Sequence, residues 1–319
     1  MDTPHDDTKP PRRNFMNLLR AQWRKGNFVC VGLDTESARI PNIGEHRDRL
    51  TVPNAFSYGL VDATGAVVGD CTVNISLHLP HGIGEAIYTY NQFLIDQTGD
   101  AAAAIKLNLA FYLEHGADGI EALRRTIDYA HRRHNNIPVI LDGKFGDIGN
   151  TNCSYIEFLM SFGADAVTLN PYVGRVALKP FLDDPNLGAI MLCRTSNEGA
   201  DEFQNLLLID GTPLYQRVAY NIARDWNTNG NCVLVVGATC PDELRAVRVP
   251  APDIPLLIPG VGAQGGTVED VVPYAMDSNG DGFIINSSRN IIFAKDPRAA
   301  TIKLNDSINL IRQKTRKGD

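Results

Sequence analysis

Pro138-Val139-Ile140-Leu141-Asp142-Gly143-Lys144-Phe145-Gly146-Asp147-Ile148-Gly149-Asn150-Thr151 begins with an apolar run and then packs two aspartates, a lysine and three glycines into a short turn. A brief continuous apolar run ending in glycine and charge is the pattern of a strand covered on both faces. The residues that follow, Asn152 to Phe162, place Tyr155, Phe158, Leu159 and Phe162 on one helical stripe. The stretch therefore reads as strand, charged turn, helix.

Working outward, the same order recurs. Strands are predicted at Phe28 to Leu33, Ala102 to Leu107, Pro138 to Leu141, Ala164 to Leu169, Ala189 to Cys193, Cys232 to Val236, Pro255 to Ile258 and Phe283 to Asn286. Their apolar residues run on rather than alternate, which calls for a parallel sheet, and eight β/α units predict closure into a (β/α)8 TIM barrel. Periodicity alone leaves an open doubly wound sheet as the competitor. Helices are expected over Ile120 to His134, with Ile120, Leu123, Ile127 and Ala130 on one stripe, and over Asn14 to Lys25, which would close the bottom of the barrel. Two connections exceed ordinary length: a long insertion after the first strand, Thr35 to Asp100, with a helix at Gly84 to Gln97, and Asn197 to Tyr215, a candidate lid. No repeat, low-complexity tract or linker interrupts the chain, so one barrel domain over 1–319 is expected, with no room for a second catalytic domain.

Composition narrows the function. The 319 residues carry 30 basic and 37 acidic side chains, net charge -7, so no general basic field exists to hold nucleic acid or an anionic membrane. An anionic ligand has to be gripped locally. The six cysteines form no C-x-x-C pair, and Cys30, Cys193 and Cys232 sit in apolar runs, which favours a reducing, cytoplasmic setting. The first thirteen residues are polar, and no later stretch reaches the roughly 18 apolar residues of a membrane span.

In such a barrel the functional groups project from the C-terminal strand ends. Here these are Asp34; Lys106 and Asn108; Asp142 and Lys144; Asn170; Arg194, Thr195 and Ser196; Gly237; Pro259 to Gly262; and Ser287, Ser288 and Arg289. Lys106, Asp142, Lys144 and Asp147 are expected to form an alternating cluster, since mutual pairing keeps buried charges ionised. The structural alternative is a salt-bridge network at the barrel mouth. Gly260 to Gly265 fits G-x-G-x-x-G before a helix at Thr267 to Tyr274. A dinucleotide site needs an acidic residue at the end of the next strand, where this chain has Asn286-Ser287-Ser288. Position at the seventh strand favours a phosphate monoester held by backbone N–H groups.

Asp142 to Thr151 matches D-x-K-x-x-D-I-x-x-T and so resembles the orotidine 5'-monophosphate decarboxylase family. The similarity extends to Gly32-Leu33-Asp34, Lys106-Leu107-Asn108, Arg194-Thr195-Ser196-Asn197 and Pro259-Gly260-Val261-Gly262-Ala263-Gln264. One departure is visible: many members have glycine before the last arginine, and this chain has Ser288 before Arg289.

The resemblance implies decarboxylation of orotidine 5'-monophosphate to uridine 5'-monophosphate without metal or organic cofactor, by a homodimer with shared active sites. Lys144 would stabilise and protonate a C6 carbanion, with Asp142 near the departing carboxylate and Lys106 holding Asp142. Asp147 and Thr151 would come from the partner subunit. Asp34 and Asn108 would position the ribose, Ser196 the pyrimidine edge, and Pro259, Gln264, Ser288 and Arg289 the phosphate end. The enzyme rival is a magnesium-dependent sugar-phosphate decarboxylase of the same barrel group, which would need a carboxylate at the second strand end, where this chain has Lys106 and Asn108. A nucleotide-binding barrel without catalysis is the other alternative.

Three further patterns carry less. Asp277 to Gly282 copies half a calcium loop, yet its twelfth position is Ser288 where a bidentate glutamate is required, so an Asx turn is expected. His78-x-x-His81 straddles a proline loop and His131-x-x-His134 encloses Arg132 and Arg133, so both pairs read as surface histidines rather than metal ligands. No aromatic cluster is interleaved with basic residues as a base-stacking surface would be.

Overall fold

Cys232 to Val236, CVLVV, is buried at all five residues, and so are the four residues of Ala166–Leu169. Such strands have no solvent face, because helices cover the outside and neighbouring side chains fill the inside. The fold is taken from a computed structural model. The structure describes residues 13–40, 51–61, 67–78, 82–262 and 265–317, with backbone alone for 51–61 and 67–78.

In chain order the strands are β1 (Val29–Gly32), β2 (Thr51–Val61), β3 (Val67–His78), β4 (Ala104–Asn108), β5 (Val139–Phe145), β6 (Ala166–Leu169), β7 (Gly188–Arg194), β8 (Cys232–Val236), β9 (Leu256–Pro259) and β10 (Phe283–Ser287). β1 and β4 to β10 form a closed barrel in sequence order, with every neighbouring pair parallel and β10 returning to β1. All eight strands expected from the sequence are present. The chain is a (β/α)8 barrel with a long insertion after its first strand.

Expected helices are found with shifted ends. The first runs Phe15–Arg24, with Asn14 outside it as a cap accepting from the Asn17 N–H. Its side chains reach the N-terminal strand ends: Trp23 Nε1 donates to Phe283 O at 2.9 Å and Gln22 Nε2 to Asn136 O at 2.8 Å. That helix does close the barrel bottom. Helices at Gly116–Arg133 and Gly149–Phe162 follow the predicted stripes, and the helix expected after the glycine turn runs Val268–Ala275, capped by Thr267.

Within the insertion, β2 and β3 form an antiparallel hairpin, which was not anticipated from the sequence, and a helix follows at Ile83–Thr98. That helix presents buried Asn91 to a polar network: Thr35 Oγ1 donates to Asn91 Oδ1 at 2.7 Å, while Asn91 Nδ2 donates to Tyr112 Oη at 3.0 Å and Thr126 Oγ1 at 3.2 Å. The network holds the chain just beyond Asp34.

His131 and His134 prove to be half-buried rather than surface residues. His131 Nε2 stands 3.1 Å from Asp165, whose carboxylate also takes Arg13 Nε at 2.7 Å and the Val139 N–H at 2.8 Å. The pair fastens the barrel bottom. His81 lies outside the described residues. Asp277 makes the expected Asx turn, accepting the N–H groups of Asn279 and Asp281 at 2.8 and 3.0 Å.

Candidate active site

Lys106 is the buried charge around which the site is built. It lies in β4 with only 5% of its surface exposed, and its Nζ is 3.0 Å from Asp142 Oδ2 and 3.5 Å from Asp34 Oδ1. Asp142, in β5, also receives Lys144 Nζ on Oδ1 at 2.8 Å and the Thr168 hydroxyl on the same oxygen at 2.8 Å. Three strand ends therefore contribute an alternating array of Asp34, Lys106, Asp142 and Lys144. Burial opposes the charged form of Lys106, but the carboxylates of Asp142 and Asp34 outweigh it and raise its pKa above the ordinary lysine value. Burial likewise opposes ionisation of Asp142, yet the ammonium groups of Lys106 and Lys144 and the bonds from Lys144 and Thr168 hold its carboxyl well below the usual range. Beneath the array, burial pushes the Cys30 thiol up to about 12 despite nearby Lys106, so it stays neutral.

Lys144 differs from its neighbours in two respects. Its side chain is half exposed, at 51%, and its φ of 49° is the only left-handed value at a non-glycine residue among the described ones. A lysine adopts that region only when the surroundings dictate it.

Asp147, expected in the same cluster, makes no ion pair with any described residue. Its Oδ1 accepts the Ile148 N–H at 2.6 Å, and Asn152 fixes its backbone by accepting the Asp147 N–H at 3.1 Å and donating to Asp147 O at 2.7 Å. Thr151 follows in the helix Gly149–Phe162. Asn108 ends β4 half-buried, with its side-chain oxygen 3.3 Å from the Ala110 N–H. Ser196 follows Thr195, which Gln204 clamps by accepting the Thr195 N–H and donating to its hydroxyl, both at 2.8 Å. The Asn197 to Tyr215 connection thus folds back on the end of β7. Arg194 is buried away from the cluster, with Nη2 at 2.6 Å from Asp201.

Pro259 ends β9, and the turn beyond it needs glycine: Gly260 and Gly262 have φ of 105° and 80°. The turn meets the end of β10, for a Cβ on Gly262 would lie 2.3 Å from Asn290 Nδ2. Arg289, first residue of a short helix to Ile292, is exposed and has no ion pair among the described residues. Gln264 lies outside the described residues. Ser288 Oγ stands 3.4 Å from Asn286 Nδ2 and against the backbone of Gly32. Among the described residues no group of three or more His, Cys, Asp or Glu side chains could hold a metal ion, and no helix is long and apolar enough to cross a membrane.

Thr168 was missed in the sequence. Its only signal there is a hydroxyl within the apolar run Ala164 to Leu169.

A closed parallel barrel with an ordered ammonium–carboxylate array at its C-terminal mouth defines a (β/α)8-barrel enzyme. Residues 28–304 match the family described as Orotidine 5'-phosphate decarboxylase / HUMPS. The chain is 40% identical over 308 residues to the orotidine 5'-phosphate decarboxylase of Azoarcus sp. (strain BH72), covering 94% of this chain and 100% of that protein. Among solved structures it is similar to Leishmania donovani OMP decarboxylase, 33% identical with TM-score 0.74, over 94% of this chain and 99% of that one. Leishmania donovani UMP synthase is 34% identical with TM-score 0.76, and there the match spans 94% of this chain but 57% of that chain. The chain belongs to the orotidine 5'-phosphate decarboxylase / HUMPS family and is a carboxy-lyase.

Proposed function

We propose that this enzyme converts orotidine 5'-monophosphate to uridine 5'-monophosphate and CO2. The observation that carries the reading is the Lys106–Asp142–Lys144 array, with one lysine buried as a counter-ion and the other paired to Asp142 yet half exposed at the barrel mouth. Cleavage of the bond between C6 and the carboxylate leaves the electron pair on C6, where no adjacent carbonyl can delocalise it. A fixed ammonium is the group best suited to stabilise that charge. Lys144 supplies it and then transfers a proton to C6, being reprotonated from solvent. Asp142 faces the departing carboxylate and keeps the lysine oriented, while Lys106 keeps Asp142 ionised.

The remaining contacts follow from position. Asp34 and Asn108 take the ribose hydroxyls, Ser196 the edge of the pyrimidine, and the turn after Pro259, with Gln264, Ser288 and Arg289, the 5'-phosphate. The exposed guanidinium of Arg289 beside a glycine turn suits a dianion. Phosphate binding remote from the reacting carbon provides energy to close the Asn197 to Tyr215 connection and orient the base.

In this reading two copies share their sites, with Asp147 and Thr151 reaching the other copy's substrate. Asp147 lacks an ion-pair partner among the described residues, and its sequence neighbour Ile148 is 67% exposed, while Tyr172 and Val176 are 88% and 85% exposed. Large apolar side chains so exposed favour a protein contact.

The test follows orotidylate absorbance with purified enzyme in EDTA. Steady loss of substrate, unchanged by the chelator, supports the reading. No loss overturns it, and loss abolished by EDTA points to a metal-dependent lyase.

A further inference from the structure

We propose that Thr168 is a positioning residue that sets the relative geometry of Asp142 and Lys144 for the decarboxylation proposed above. The observation begins with the β5–β6 ladder. Leu141 pairs with Val167 and Phe145 with Leu169, so Asp142, Gly143 and Lys144 stand opposite Thr168 alone. Such an excess of residues removes regular ladder partners from the bulged strand. The Lys144 N–H loses its backbone acceptor and is taken instead by the Thr168 hydroxyl oxygen at 2.8 Å. The same hydroxyl donates its proton to Asp142 Oδ1 at 2.8 Å.

One buried hydroxyl, 2% exposed at the residue level, thus binds the backbone of one reacting group and the carboxylate of the other. Its donor and one acceptor position are both used, so the bonds have a fixed direction. It also compensates the left-handed φ of 49° at Lys144, the conformation that carries this ammonium out toward the mouth. When Lys144 Nζ turns from Asp142 toward the substrate carbon, Oδ1 keeps the Thr168 bond and Oδ2 keeps Lys106. Asp142 then stays in place through the chemical step. Without Thr168, Oδ1 loses its anchor at that moment.

Thr168→Val keeps the shape and removes both bonds. Displacement of a reacting group by about 1 Å costs on the order of 100-fold, so kcat for orotidylate is expected to fall about 10- to 100-fold. KM, and the dissociation constant of uridine 5'-monophosphate, should change less than about threefold, because the nucleotide contacts come from other strands. Thr168→Ser retains the hydroxyl and is expected to return kcat to within about threefold of wild type. Thr168→Cys, with a weaker donor, should fall between the two and serves if the valine variant does not fold. Binding of uridine 5'-monophosphate counts the folded sites in each preparation. A valine variant with wild-type kcat overturns the inference, as does equal loss in the serine and valine variants or a parallel loss of nucleotide binding. Wild-type enzyme that does not decarboxylate orotidylate overturns the functional reading instead, so the two failures are distinguishable.

Discussion

Lys106 Nζ and Asp142 Oδ2 are 3.0 Å apart inside the barrel mouth, with the lysine 5% exposed. A pair so placed is costly to break, because removal of one partner leaves the other charge in a poor solvent. Asp142 also faces Asp34 across the same ammonium, which lies 3.5 Å from Asp34.

Lys106→Met should therefore destabilise the protein by about 3–5 kcal/mol at neutral pH. The pH window follows from the two shifts. The folded pKa of Asp142 is depressed below its unfolded value of about 3.9, so its contribution is present above that value and is lost as pH falls through the folded pKa. The folded pKa of Lys106 is raised above about 10.4, so its contribution is present below that value and is lost as pH rises through the folded pKa. In urea unfolding, the gap between wild type and variant should hold from about pH 5 to pH 9 and narrow below about pH 4. A gap that widens toward acid would show that the pair is not the source of the stability.

If Arg289 meets the phosphate as proposed, Arg289→Ala should raise KM for orotidylate by about 100-fold or more, since the guanidinium is exposed and lacks an ion pair among the described residues. The slow reaction of orotidine, which has no phosphate, should hardly change. Equal losses on the two substrates would mark Arg289 as a structural residue.

Lys144→Ala should abolish turnover while uridine 5'-monophosphate still binds, and Asp147→Ala should be poorly active. Mixed after subunit exchange, the two inactive homodimers test the shared site. If Asp147 acts across the interface, a heterodimer has one doubly defective site and one intact site. Random reassociation of equal amounts makes about half the dimers heterodimeric, so roughly one quarter of wild-type activity should return. Recovery of nothing beyond the mean of the two mutants would place Asp147 and Lys144 in the same site.

Gly32 and Ser288 should be coupled. A Cβ at Gly32 would lie 2.0 Å from Ser288 Oγ and 3.1 Å from its Cβ, with Asn286 Oδ1 at 3.3 Å. Gly32→Ala alone is expected to cost about 1–3 kcal/mol through overpacking. Adding Ser288→Gly should recover about 1 kcal/mol or more, read as a coupling energy in a double-mutant cycle by urea unfolding. Additive effects would show that the rim accommodates the new methyl group by moving elsewhere.

The eight barrel strands were legible because each is a buried run such as Cys232 to Val236, whose composition is dictated by the absence of water on either face. Asp142, Lys144 and Lys106 were legible because charged residues at the ends of such runs have no structural reason to be there unless they pair or react. Asp34 joined them in space, 3.5 Å from Lys106, although it is remote in sequence.

What the sequence determined by itself was local: the alternation of strand and helix, the glycine turn after Pro259, and the charged motif from Asp142 to Thr151. The β2–β3 hairpin was not legible, for its sequences, TVPNAFSYGLV and VVGDCTVNISLH, mix polar residues and glycine where the barrel strands run on as apolar stretches. Tertiary structure alone decided that Thr168 answers the N–H of Lys144, that Ser288 presses on Gly32, and that Asp147 stands apart from the ammonium array. Each of these depends on the register between neighbouring strands or on barrel closure. A register is settled by long-range packing of whole faces, and one-residue shifts in it leave local sequence patterns unchanged.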